Sequence, residues 1–522
     1  MPRRRLAGPS LRRGRKFALA ALVPALLAGC TAGPAGRPPV VANDGPPPAL
    51  ESTGTELPLP PLAEPRDSSI EWSDCDEETR ERTGQPAPDS VRFDCAKVTS
   101  RLDPPDLPGR GQIRVALLKA GSGPVPLVVV NDIDGEPGTL FAAKLAATLP
   151  PEVLQRFSLI GVDRRGTGQS SPVSCVPGEV RWQLVGQDPV DPDPEPLLDA
   201  ARKAGQQCTI ELTNEQQALD SWRTAGDLEE IRDQLGVPKL NALSRGEGSK
   251  VLTAYSTRYA DRIGRMVLDG IPDPSQDTLS VLDGVAAGAQ STLDAFGRDC
   301  VQRGCALGAD ASGAVLALAE QLRQSPRLRP EGTFFGPSLA LYSVATGLAQ
   351  RARWPELADA IAAARGGDLA KLAAFTDALA TGSRLEPAQL DATLATKCND
   401  TATRLPADQF AGVAGGMQAK YPVFGGLVAQ QLAWCSPWPV RREPLPPAGG
   451  YGAPPMLVTS SAADPVTPEL GTIRAADQLP NAIRVSWQGA GHGALSSSCV
   501  SDAVRAFLVD GKVPSDGTLC PA

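Results

Sequence analysis

Asn241-Ala-Leu-Ser-Arg-Gly-Glu-Gly248 lies between a helical stretch ending near Gly236-Val-Pro and another running from Ser249 to Ala260. It reads as a strand, a sharp turn and a helix. At such a turn the exposed residue has a strained backbone and its flanks crowd neighbouring elements, so the positions two before and two after it must be small. Ala242 and Gly246 meet that demand around Ser244, with Ala242 where Gly is usual. A serine between small residues is more often an ordinary turn, so its meaning depends on the elements around it and on partners elsewhere in the chain.

Working outward, short apolar runs alternate with helical patterns from Ile70 to about Pro274. They include Pro126-Leu-Val-Val-Val-Asn131, Ser158-Leu-Ile-Gly-Val-Asp163 and Met266-Val-Leu-Asp269. Continuous apolar strands separated by helices imply a mostly parallel sheet covered on both faces. From roughly 276 to 450 strand patterns give way to Ala/Leu-rich helical ones, then resume at Pro455-Met-Leu-Val-Thr459 and Ile483-Arg-Val-Ser-Trp487. The expected organisation is an α/β core over 69–275 and 451–522, split by an inserted helical cap over 276–450.

Two residues near the C-terminus complete a pattern with Ser244. Asp464 sits in Ser461-Ala-Ala-Asp-Pro-Val-Thr-Pro468, on the loop after a strand, and His492, the only histidine, sits on the turn Ala490-Gly-His-Gly-Ala494. Asp before Pro often just caps a turn, and a lone His is usually structural or solvated. Together, however, Ser, Asp and His follow the chain order of α/β-hydrolases, with a base free to reach a nucleophile.

The ends and the composition bound the rest. Seven Arg and Lys precede the apolar stretch Phe17 to Leu27, which ends in Leu27-Ala-Gly-Cys30. This is a signal-peptide layout over 1–29, with small residues before Cys30 as in bacterial lipoproteins, and it leaves the Sec and twin-Arg routes open. Residues 30–68 are dense in Pro and read as a tether. Loss of residues 1–29 moves the formal charge from −8 to −15, which argues against a nucleic-acid partner. Ten cysteines remain after Cys30, an even count that suits disulfides in an oxidising exterior. Their spacing lacks the tight pairs of a zinc knuckle, so neither metal nor other cofactor is expected.

The chain resembles the actinobacterial tripeptidyl-aminopeptidase-like family of exported α/β-hydrolases, related to prolyl aminopeptidases. The resemblance is carried by Phe157-Ser-Leu-Ile-Gly-Val-Asp-Arg-Arg-Gly-Thr-Gly-Gln-Ser170, Pro172-Val-Ser-Cys175, Asp261-Arg-Ile-Gly-Arg-Met-Val-Leu-Asp-Gly270, Cys435-Ser-Pro-Trp-Pro439, Asp464-Pro-Val-Thr-Pro468 and Gly491-His-Gly-Ala-Leu495. It covers nearly the whole mature chain. It implies Ser244 as nucleophile, His492 as base, Asp464 as orienter, and peptides trimmed from a free N-terminus as substrates; Asp269, after an earlier strand, is the first substitute should another carboxylate orient the base. It also implies sequential disulfides: Cys75 with Cys95, Cys175 with Cys208, Cys300 with Cys305, Cys398 with Cys435, and Cys499 with Cys520.

One segment departs from the family. Where members carry a Gly-rich run resembling NPGGPGGSG, this chain has Asn131-Asp-Ile-Asp-Gly-Glu-Pro-Gly138. The backbone N–H groups of Arg245 and Gly135 are the candidates for an oxyanion hole. Asp132, Asp134 and Glu136 would oppose a developing negative charge unless paired, with Arg245 a candidate partner, or unless they bind a substrate ammonium. Three readings follow: a peptidase; an esterase of the same fold; or a binding lipoprotein that lost turnover, since loss of one oxyanion donor costs about 100- to 1,000-fold in rate.

Overall fold

The computed structural model describes residues 58–84, 91–308, 310–329, 332–382, 386–440, 445–446, 449–450 and 452–522. The expected leader over 1–29, the candidate anchor Cys30 and most of the Pro-rich segment lie outside the described residues. Ten strands form the main sheet among them: β1 (Ser73–Asp74), β2 (Phe93–Arg101), β3 (Gln112–Ala120), β4 (Val125–Val130), β5 (Phe157–Val162), β6 (Leu240–Arg245), β7 (Ile263–Asp269), β8 (Met456–Ala463), β9 (Ala482–Ala490) and β10 (Thr518–Cys520). Their order is β1-β2-β3-β5-β4-β6-β7-β8-β9-β10. Pairing is antiparallel from β1 to β5 and parallel from β5 through β4 to β10.

The apolar runs explain the centre of this sheet. Every residue of β4, β5 and β7 is buried, because helices cover both faces and leave no face for water. The strand order reverses at β4, whose neighbours β5 and β6 lie on opposite sides of it. At such a switch point the loops leaving adjacent carboxyl ends diverge and open a crevice. Here those loops begin at Asn131 and Gly246.

Between β7 and β8 the chain is helical, from Thr278–Arg303 to Gly425–Cys435, apart from a ribbon of two-residue strands at Arg327–Leu328 and Phe334–Phe335. This layer does not consist of the insertion alone. Helices Gly178–Gly186 and Glu195–Leu212, which precede β6, share its buried core. Asp391 of the insertion binds them through one carboxylate, accepting the N–H groups of Cys175 and Val176, each at 2.8 Å, and pairing with Arg181 at 2.6 Å. The 69–275 stretch therefore contributes to both layers. Sequence patterning missed this because a helix under a cap and one flanking a sheet have the same period.

Five disulfides join Cys75–Cys95, Cys175–Cys208, Cys300–Cys305, Cys398–Cys435 and Cys499–Cys520. In the Asp163-Arg-Arg-Gly motif, Arg165 is fully buried and holds Asp227 at 2.7 Å while donating to the carbonyls of Leu102 and Ala218. A buried guanidinium is tolerable only with its donors so satisfied. That motif ties the loop after β5 to helix Ser221–Gln234. Among the described residues no helix is long and apolar enough to cross a membrane.

Candidate active site

The crevice at the ends of β4 and β6 opens into a cavity of about 1460 Å3 lined by Asp132, Glu247, Tyr342, Lys397, Trp434 and His492, among others. His492 is carried on the turn after β9, where its N–H donates to the Ala349 carbonyl at 2.9 Å. Its Nδ1 lies 3.0 Å from both carboxylate oxygens of Asp464. Asp464 is fixed by the N–H groups of Val466 and Thr467, each 2.8 Å from Oδ1, and by that of Gly493, 3.0 Å from Oδ2. Asp269, the alternative orienter, is occupied instead by Thr459 Oγ1 at 2.7 Å and the N–H of Ala494 at 2.6 Å.

Ser244 is not brought to this pair. It lies within β6, opposite Val130 on one side and Leu268 on the other, and is fully buried. Its Oγ lies 2.9 Å from Ser249 Oγ and faces the Val267 carbonyl at 3.5 Å, on the packed side of the turn. The residue at the apex is Gly246, with φ 55° and ψ −123°. That left-handed geometry is what the strained strand-to-helix turn demands of its exposed residue. The assignment of Ser244 as nucleophile is therefore corrected. The chain contains two overlapping windows with small residues on both sides, one centred on Ser244 and one on Gly246, and the fold uses the second.

Gly248 identifies the register. A Cβ there would come within 2.4 Å of the Val130 carbonyl, so the close approach of helix Glu247–Arg258 to β4 requires glycine two residues beyond the apex. The same shift corrects the oxyanion donor. Arg245 belongs to β6, in register with Asp269, whereas the first N–H after the apex is that of Glu247, which donates to Asp132 Oδ1 at 2.7 Å. Gly135 lines the cavity.

The acidic loop is fully engaged. Asp132 Oδ2 meets His492 Nε2 at 2.8 Å, Asp134 pairs with Lys397 at 2.7 Å, and Glu136 pairs with Lys144 at 2.5 Å. Arg245, the expected partner for this loop, stacks on Phe141 at 4.7 Å and faces Asp269 at 3.6 Å instead. His492 thus lies between two carboxylates. Burial disfavours its charged form, but Asp464 and Asp132 outweigh that and hold its pKa well above the ordinary value. Burial also opposes ionisation of Asp464, and the imidazole overcomes it, lowering that carboxyl's pKa. No group of His, Cys, Asp and Glu among the described residues could hold a metal ion.

A mostly parallel sheet with this strand order, a strained turn after β6 and an Asp–His pair at the carboxyl ends of the strands define the α/β-hydrolase fold. Residues 421–520 match the family described as TAP-like protein. Over most of its length the chain is similar to serine protease Hip1 of Mycobacterium tuberculosis, at 27% identity over 88% of this chain and 92% of that one. It is 28% identical to carboxylesterase B of the same organism, over 90% and 93%. It is 26% identical to the tripeptidyl aminopeptidase of Streptomyces lividans, over 87% of each. These three relatives are named as a serine protease, a carboxylesterase and an aminopeptidase.

Proposed function

We propose that the protein is an exported hydrolase, held at the outer face of the membrane by a lipid on Cys30, that works on short peptides through their free N-termini. The observation that carries this is the Asp464–His492 pair, whose imidazole lines a wide cavity, ordered as an acid–base device needs to be. Relatives named as a protease and an aminopeptidase support the substrate class. With Asp132, Asp134 and Glu136 paired, Glu247 is the cavity carboxylate best placed for an ammonium. Its one ion pair among the described residues is Lys250, at 3.9 Å.

The test is a panel of tripeptide p-nitroanilides, each with a free or an acetylated N-terminus, on the full-length lipoprotein. Cleavage of the free peptides alone, lost in His492→Ala, is expected, and Glu247→Gln should raise KM for them. Cleavage of p-nitrophenyl esters without cleavage of any peptide would select the esterase reading, which the carboxylesterase relative supports. Saturable peptide binding without turnover would select the binding-lipoprotein reading, which the glycine at the apex favours. For the anchor, Cys30→Ala should move the protein from the membrane fraction to the soluble one.

A further inference from the structure

The apex residue has no side chain, yet the place of that side chain is filled. A Cβ built on Gly246 would lie 1.9 Å from Asp132 Oδ1 and 2.6 Å from Oδ2. Oδ2 is at hydrogen-bond distance from His492 Nε2, and Oδ1 takes the Glu247 N–H, the donor next to the apex. A hydroxyl carried by residue 246 would meet that base, and the acyl oxygen of the substrate it attacks would meet that donor. The Asp132 carboxylate stands in that position, reaching across from the loop after β4 instead of rising from the turn after β6.

Glycine at 246 and aspartate at 132 are therefore one feature. Any side chain at 246 would collide with the carboxylate, and with glycine there the carboxylate has room. Asp132 is buried, at 8% exposure, but lines the cavity that His492 also lines and so faces whatever enters it.

We propose that Asp132 is the nucleophile of this centre, a carboxylate taking the acyl group where a serine hydroxyl would be expected. This rests on the reading that the protein turns over peptides or esters. Asp132 Oδ1 gives up the Glu247 N–H and adds to the substrate carbonyl carbon, while the carbonyl oxygen takes that N–H in its place. The intermediate collapses with rupture of the C–N or C–O bond. The leaving nitrogen or oxygen keeps the electron pair and receives the proton from His492 Nε2, leaving a mixed anhydride between the acyl group and Asp132. Water then attacks the acyl carbon and gives its proton to His492. The bond to Asp132 breaks, and the sum is substrate plus water to acid plus amine or alcohol. Two flanking carboxylates suit His492 to begin as the acid, whereas a serine route needs it to begin as the base.

The test uses the full-length protein with a free tripeptide p-nitroanilide and with p-nitrophenyl butyrate. We expect Asp132→Asn to lose at least 100-fold in kcat with both, while the variant melts as a folded protein. We also expect borohydride, added during turnover, to reduce position 132 to homoserine, and a fluorophosphonate to leave no stable adduct on the wild type, because a phosphonyl–carboxylate anhydride hydrolyses. If Asp132→Asn does not fold, the double variant Gly246→Ser/Asp132→Gly decides. It empties the space and supplies a hydroxyl, and should gain stable fluorophosphonate labelling that the wild type lacks.

Turnover within threefold of wild type in Asp132→Asn, or a stable fluorophosphonate adduct on a wild-type serine, would overturn the assignment of Asp132 and leave the hydrolase reading intact. Failure of the double variant to label would also overturn it. Absence of turnover on every substrate would instead overturn the hydrolase reading, and this inference with it.

Discussion

His492 is the only histidine in the chain, so its protonation can be followed without ambiguity. In the untagged protein, an NMR titration of labelled imidazole should show a charged ring through the neutral range. In Asp132→Asn the midpoint should fall. The stabilisation from this ion pair is fully present below the unfolded pKa of about 6.5 and is lost as pH rises through the raised folded value. Asp132→Asn should therefore lessen the loss of stability on going alkaline. A midpoint unmoved by the substitution would remove Asp132 as a cause.

Ser244→Ala makes the opposite kind of prediction. It removes a buried hydroxyl that lies beside Ser249, so it should cost about 1 kcal/mol in denaturant midpoint and leave turnover within a few-fold. At this scale Asp464 and His492 were legible in the sequence, because loop position and chain order are one-dimensional facts. Gly246 was not. Ala242-Leu-Ser-Arg-Gly-Glu-Gly248 offers two registers to the same rule, and the choice between them depends on how closely the helix approaches β4. The signal that could have decided it is the second glycine, Gly248, together with the missing Gly-rich run after Asn131.

At the level of elements, apolar runs located the strands because burial on both faces removes alternation and leaves a continuous pattern. Periodicity could not assign helices Gly178–Gly186 and Glu195–Leu212 to the layer over the cavity, since amphipathic period does not name a partner. Two elements make testable predictions. Asp227→Ala leaves Arg165 buried beside its remaining carbonyl partners but without its carboxylate, and should destabilise the fold by about 3–5 kcal/mol, measured by urea unfolding. Gly248→Ala forces the helix away from the Val130 carbonyl. It should lower both stability and activity, because the Glu247 N–H moves with the helix.

Across the molecule, the cavity lies between a sheet and a helical layer assembled from two separate stretches of chain. The Cys398–Cys435 bridge closes a loop of 37 residues between two helices of that layer, one of them carrying Lys397, the partner of Asp134. Its removal by Cys398→Ala/Cys435→Ala should cost at most about 4 kcal/mol by chain entropy. It should raise KM before it lowers kcat, since the bridged helices shape the cavity, while Asp464 and His492 follow strands of the sheet and the layer's contact with His492 N–H comes from another helix, at Ala349. Equal loss in both parameters would mean that the layer also positions the centre.

The five bridges share a property that concerns the making of the protein. Each joins one cysteine to the next along the chain after Cys30, so no bridge encloses or crosses another. A chain threading outward amino-end first can close each pair as soon as its second thiol emerges, before a competing thiol is exposed. Native pairing then needs an oxidant but no reshuffling catalyst. Export into a host lacking disulfide isomerase should yield the same bonding pattern and nearly the same amount of protein, whereas reduction and reoxidation of the complete chain should scramble it.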